Sequence, residues 1–321
     1  MSNSANQTRL HRFAISTVCV AMVTLVMGAL TTSKNAGMAF RDWPTSDGIN
    51  MLTYPWLADF ARNWDKFLEH GHRLAGALIG MWSIALVVFA YRTPAESPWP
   101  RRIAVSVLVG VICQGLLGGF RVQLDERGLA MLHGFFAALV FSLMGCLVTI
   151  TGWRWNNNEQ ETDRFTDLIM RITAGLTVVL LGLQYILGGL IRHHGTGLHE
   201  HLGLGLLALG FMFVSATMSS SSNSEWIRSS AWKLLLVTIV QVALGAGAWV
   251  SKFGFAQLGY VATADSIMQV ALRTSHTVWG IVLFMTAVVH ALKVFRVSAN
   301  SEFEPETAFE VRSITPVGGN S

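Results

Sequence analysis

Charge is what this chain has least of. Asp, Glu, Lys and Arg make up 13% of its 321 residues, whereas a soluble domain carries about 25%. The hydrophobic fraction is 52%, with 18 Phe and 11 Trp beside only 4 Tyr and 7 Pro. That excludes a disordered chain and an ordinary water-soluble enzyme. Cysteine is nearly absent as well. Cys19, Cys113 and Cys146 all lie inside apolar runs, which excludes a disulfide-stapled secreted domain; they read as small buried hydrophobes. Long basic blocks are missing too. The net charge of +4 comes from short Lys and Arg clusters between apolar runs, so nucleic acid is not a partner. What remains is an integral membrane protein, with a mean hydropathy of +0.46.

A spanning helix needs about 20 predominantly apolar residues. Eight segments qualify: Phe13–Thr32, His72–Tyr91, Ile103–Phe120, Met131–Thr151, Ile169–Ile191, His201–Met218, Ala231–Val250 and Thr274–Phe295. The first has basic flanks (Arg9, Arg12) but an apolar core too long for a signal peptide, so it reads as a retained anchor. The stretch from 297 to 321 reads as a polar, disordered tail. Eight spans put both termini on one side, which carries 13 Lys and Arg against 9 on the other. The positive-inside rule therefore expects a multi-pass protein of the cell (inner) membrane with cytoplasmic termini.

Internal repetition sharpens the picture. The third span holds Gln114-Gly115-Leu116-Leu117-Gly118-Gly119, the fifth Gln184-Tyr185-Ile186-Leu187-Gly188-Gly189, and the seventh Gln241-Val242-Ala243-Leu244-Gly245-Ala246. The first span has a weaker echo, Met27-Gly28-Ala29, without the Gln. After each comes an outer loop and then a span opening with a histidine: His72, His133, His201 and His276. The expected fold is all-α, eight transmembrane helices as two pseudo-symmetric four-helix bundles. Residues 1–155 form the first half, with a long outer loop at 33–71, and residues 165–296 the second. The repeats are parallel, related by an axis along the membrane normal. The glycines equally serve close helix packing.

Ionisable side chains in a bilayer are costly and functional by default. Two histidines at one depth on facing helices suit a planar macrocycle whose iron is ligated from both sides. Zinc is the competitor, but it favours four converging ligands, commonly with Cys or carboxylate; unligated structural histidines are the third option. His290, about 21 Å further along the last span than His276, has no evident partner. His70, His193, His194 and His199 fall in or near outer loops, and only hairpin register favours His201 over His199. Glu69 precedes His72 by three residues, so both share a helix face if the helix begins by Leu68. It reads either as an acid favoured in a first turn or as a carboxylate able to move protons beside a haem. Arg73, Arg121, Arg192 and Arg273 stand at the outer edge, where guanidinium groups pair with haem propionates or snorkel to the interface.

These residues resemble the haem A synthase family of cytochrome oxidase assembly enzymes. Its Glu-x-x-His-Arg motif matches Glu69-His70-Gly71-His72-Arg73, and its outer-loop Gly…Asp-Trp-Pro…Gly matches Gly37…Asp42-Trp43-Pro44…Gly48. The Gln-x-x-Leu-Gly-Gly segments are similar as well, and the resemblance runs over residues 13–296. It implies an oxidoreductase that converts haem O to haem A, oxidising a porphyrin methyl stepwise to a formyl. It further implies that His72 and His133 ligate the substrate or product haem, with Glu69 as catalytic carboxylate. His201 and His276 would hold a haem b, and Arg73 and Arg121 would contact the haem in the first half. A membrane haem O synthase would supply the substrate, and an electron acceptor or donor must take part; a homo-oligomer stays open. Two features depart from the family. The loop from Ser33 to Gly71 lacks the cysteine pair of many relatives, so no thiol step is available, and the short loop Arg192 to Glu200 implies a shallower second site. The long first loop, with Trp43, Trp56 and Trp64, reads as a lid or as an interfacial anchor. Two other functions fit four histidines: a di-haem b-type electron-transfer cytochrome, and a haem transporter or chaperone. Glu69 discriminates against the first.

Overall fold

A computed structural model describes residues 2–94, 97–155 and 164–301. Among these residues the chain is helical, with α1 Ser2–Ser33, α2 Trp56–Arg62, α3 Trp64–Arg92, α4 Trp99–Leu124, α5 Arg127–Thr151, α6 Arg164–His194, α7 Leu198–Ser220, α8 Glu225–Phe253 and α9 Ile267–Ser301. All but the short α2 are long and apolar enough to span a membrane. Most of the expected tail, residues 302–321, lies outside the described residues, while its first residues continue α9.

The second span begins earlier than its hydropathy indicates. Asn63 caps α3, its side chain accepting from the Lys66 N–H at 3.1 Å, so two further turns precede His72. The apolar window misses them because Asp65 and Lys66 lie there. The loop expected at 33–71 thus ends at Asn63, and Glu69, His70, His72 and Arg73 share one continuous helix. Asn63→Ala should cost about 1 kcal/mol, visible as a lower melting temperature of the purified protein. Elsewhere tight turns fix the hairpins. Asp125, left-handed at φ 50°, ends α4 two residues before α5, and Gly197 at φ 87° opens α7.

The spans pack as two rings of four. In the first, α1 meets α3, α3 meets α4, α4 meets α5, and α5 closes on α1; in the second, α6 to α9 repeat the pattern. Helices α5 and α9 are the most buried spans and pack on each other at the centre. There a Cβ on Gly145 would come within 2.7 Å of Met285 Cγ, so close backbone approach holds the halves together. The four histidine-bearing helices α3, α5, α7 and α9 occupy diagonal corners within their rings. Neither α3 and α5 nor α7 and α9 pack extensively on each other, which leaves a slot between the members of each pair.

Candidate functional site

The histidines meet across these slots. The imidazole centres of His72 and His133 lie 6.3 Å apart at 88°, and those of His201 and His276 lie 6.4 Å apart at 81°. Two imidazoles sharing one metal ion place their centres about 6 Å apart, counting about 2 Å of bond and about 1 Å from nitrogen to ring centre on each side. The register also separates His201 from His199. His201 faces His276, while His199 is exposed in the first turn of α7.

Each ring rests on a glycine of a neighbouring helix. A Cβ would come within 2.7 Å of His72 Cε1 at Gly28, 3.2 Å of His133 at Gly118, 3.4 Å of His201 at Gly188 and 2.9 Å of His276 at Gly245. One turn before each glycine stands a polar residue, Thr24, Gln114, Gln184 or Gln241, and the first three bond to a carbonyl of the histidine's own helix. Gln114 Nε2 donates to the His133 carbonyl at 3.1 Å, and Gln184 Nε2 to the His201 carbonyl at 2.8 Å. In α1 that position is Thr24, whose hydroxyl donates to the Ala75 carbonyl at 3.0 Å. The echo in α1 is therefore complete, with Thr in place of Gln. His72 Nδ1 lies 3.1 Å from the Thr24 carbonyl; a carbonyl only accepts, so Nδ1 carries the proton and Nε2 keeps its lone pair for a metal. Nδ1 of His133, His201 and His276 is buried without a hydrogen bond. Four residues after the histidines come Gly76, Ala137, Gly205 and Gly280; a Cβ at Gly205 or Gly280 would come within 3.0 or 3.1 Å of the Gln184 or Gln241 amide, so these two glycines make room for the glutamines, while the space over Gly76 is open. Sequence reasoning missed this repeat, although the spacing carried it.

These residues fit a haem. Imidazoles paired across the slot between two helices that do not pack on each other, an Nε2 lone pair on His72 and glycine cradles are what a bis-ligated macrocycle requires. Zinc fits poorly, because among the described residues no three His, Cys, Asp or Glu side chains converge on a point.

Glu69 is buried, and its carboxylate accepts from Arg73 Nη2 at 2.7 Å and from the Phe40 N–H at 3.1 Å. Arg73 also donates to the Asp42 and Thr45 carbonyls at 2.9 and 2.7 Å. Arg121 Nη2 donates to the Gly37 carbonyl at 2.6 Å, and Gln123 Nε2 to the Trp43 carbonyl at 3.1 Å. Gly37 is required here, since a Cβ would strike the Arg121 guanidinium. Arg73 and Arg121 thus fasten the first loop over α3 and α4. Trp43 packs on Gly119, next to Gly118 of the His133 cradle. Trp56, Phe67 and Trp64 instead stack together further out, next to exposed Leu57 and Phe60. Asp42 organises the lid's turn. Burial works against its charge, but the Thr45 hydroxyl and the Gly48 and Asp47 N–H groups outweigh this and hold its carboxyl below the usual range. The turn is therefore firm at neutral pH and loosens as pH falls through that lowered value. Burial and the Asp59 carboxylate push the Tyr54 phenol up.

Arg192 joins the halves. It donates to Thr277 Oγ1, to the Ala29 carbonyl at 2.7 Å and to Ser33 Oγ at 2.9 Å. His193 and His194 complete the last turn of α6. Two sequence expectations change. His70 is not a loop residue but sits fully buried inside α3. His290 has partners, Ser230 at 2.8 Å on Nδ1 and Ser219 at 3.1 Å on Nε2. Ser219 on α7 and Ser230 on α8 lie just beyond the ends of the spans His201–Met218 and Ala231–Val250, which hid the contact.

The family profile described as "Cytochrome oxidase assembly protein" matches residues 63–200, the stretch from the start of α3 to the first turn of α7. The chain is 24% identical to "Heme A synthase" of Symbiobacterium thermophilum over 86% of its length and 94% of that protein's. It is 26% identical to "Heme A synthase" of Geobacillus kaustophilus over 60% of its length and 59% of that protein's. A shorter likeness, 28% identical over 43% of the chain and 32% of the relative, is to "Protoheme IX farnesyltransferase" of Halobacterium salinarum. The chain is thus similar to a cytochrome oxidase assembly protein over residues 63–200 and, over most of its length, to a protein named Heme A synthase.

Proposed function

We propose that this protein is an oxidoreductase that converts haem O to haem A by oxidising a porphyrin methyl to a formyl. The observation that carries the reading is the first slot. His72 and His133 face each other 6.3 Å apart, with Trp43 packed next to the His133 cradle and the buried Glu69 carboxylate on the same helix as His72. The relatives named Heme A synthase favour it over a di-haem electron carrier.

In this reading, haem O is substrate in the first half, held by Nε2 of His72 and His133. A haem b held by His201 and His276 supplies one-electron chemistry when bound. The chain's own work is positional and electrostatic. Thr24 fixes the His72 tautomer, and Gly28 and Gly118 set the ring planes. Glu69 keeps a negative charge beside the slot, where it stabilises positive charge or takes a proton at a carboxylate oxygen. Arg73 and Arg121 hold the lid. Haem O reaches the site from a membrane haem O synthase, and both termini lie in the cytoplasm, so the two sites face the outer leaflet.

The test is haem extraction from protein made in cells that also make haem O, with chromatographic identification of each porphyrin. Haem A or its hydroxylated intermediate supports the reading; haem b alone, with haem O unchanged, returns the protein to an electron carrier. The second site has its own check. His201→Ala should remove haem b and leave the first-half haem, while His199→Ala should remove neither, measured as haem per protein by absorbance.

A further inference from the structure

Successive residues of an α-helix are turned by about 100°, so His70 points away from the His72 slot. It borders a separate cavity of about 350 Å³ between the first loop and α3, lined by Met51, Leu52, Tyr54, Trp56 and Leu57 among others. His70 is fully buried. Its Nδ1 is 3.0 Å from Ser46 Oγ, and Ser46 Oγ in turn accepts from Arg73 at 3.4 Å. In the tautomer whose Nδ1 accepts from the serine hydroxyl, Nε2–H is left as a donor. That Nε2 is buried and makes no hydrogen bond; the Met51 carbonyl lies beside the ring, outside bonding geometry. A buried donor left without an acceptor is destabilising, so a ligand that supplies one is favoured there.

The walls define that ligand further. Tyr54 stacks near His70 with ring centres 4.7 Å apart, and Trp56 stands at 6.5 Å, which suits a flat ring. The rim carries Leu52 and Leu57, both 74% exposed, in the loop and short α2 that precede α3. The unbranched Met51 is a wall that can move. We propose that this cavity binds a membrane-dissolved quinone, one ring carbonyl accepting from His70 Nε2 and the tail leaving over Leu57 into the bilayer. A lipid acyl chain fits the apolar walls but leaves Nε2 unsatisfied. The inference rests on the proposed function in one respect: a haem O-oxidising site needs an electron partner, and this cavity lies two residues of α3 from His72.

The test uses the full-length protein in detergent with a decyl-tailed benzoquinone as probe. Binding is read by tryptophan fluorescence quenching and by quinone retained per protein, with haem content reporting the fold. Saturable binding is expected, weakened at least 10-fold by His70→Phe, which keeps a ring but removes the nitrogen. Ala58→Trp, which fills the cavity without touching His70, should abolish it. Absence of saturable binding, equal affinity in both variants, or a phospholipid that the probe does not displace overturns the proposal. Haem O conversion is measured on the same preparation. Binding without conversion sinks the functional reading and leaves the cavity standing; conversion without binding does the reverse.

Discussion

Glu69→Gln should lower haem O conversion by about 10²–10⁴-fold, the range a positioned acid–base group contributes, while haem O still binds between His72 and His133. The substitution keeps the side chain's size and leaves Arg73 bonded to the Asp42 and Thr45 carbonyls, so the lid stays anchored. It also removes one partner of an ion pair whose side chains are only 5% and 8% exposed. Breaking such a pair costs stability because the surviving charge stays buried. Melting temperature and haem O occupancy of the single variant separate the two effects. Conversion lost with haem O still bound at wild-type occupancy marks the carboxylate as chemical. Conversion at the wild-type rate in the single variant would reduce Glu69 to a lid fastener, and amide exchange at Phe40, whose N–H it accepts, would then be the property that changes.

The histidine register was legible because a repeat fixes what single residues do not. Four spans opening with His, each preceded by a Gln-and-Gly or Gly-only echo, define the pairs without coordinates. What each repeated residue does was not legible. A Gln seven apolar residues from the membrane edge gives no hint that its amide serves the carbonyl of a histidine on the next helix, as Gln114 and Gln184 do. Thr24 takes the same place by a different bond and so escaped a search for identical letters. His70 was lost for another reason: hydropathy windows discard the polar first turns of α3, so a fully buried side chain looked like part of a loop. The arginines were legible only in part. Position at the outer edge suggested haem contacts, and the structure adds that Arg73, Arg121 and Arg192 each bond to main-chain carbonyls of the protein, which position in the sequence does not show.

The glycine cradles give the second large effect, and it is graded. Alanine at Gly28 would place its Cβ 2.7 Å from His72 Cε1, at Gly245 2.9 Å from His276, at Gly118 3.2 Å from His133 and at Gly188 3.4 Å from His201. Carbon pairs are comfortable at about 3.5–4.0 Å, so Gly188→Ala should keep its haem and Gly28→Ala should lose most of it. The remaining two fall between in that order, read as haem per protein and as the absorbance of the affected half. Distance alone understates the contrast. His72 Nδ1 is tied to the Thr24 carbonyl at 3.1 Å, and a ring held by that bond cannot pivot from the new methyl without giving it up. Thr24 offers no side-chain handle on that carbonyl, so the bond is tested through Gly28 itself. If Gly28→Ala binds haem as well as Gly188→Ala does, the ring is free in the native protein and the tautomer assigned to His72 is wrong.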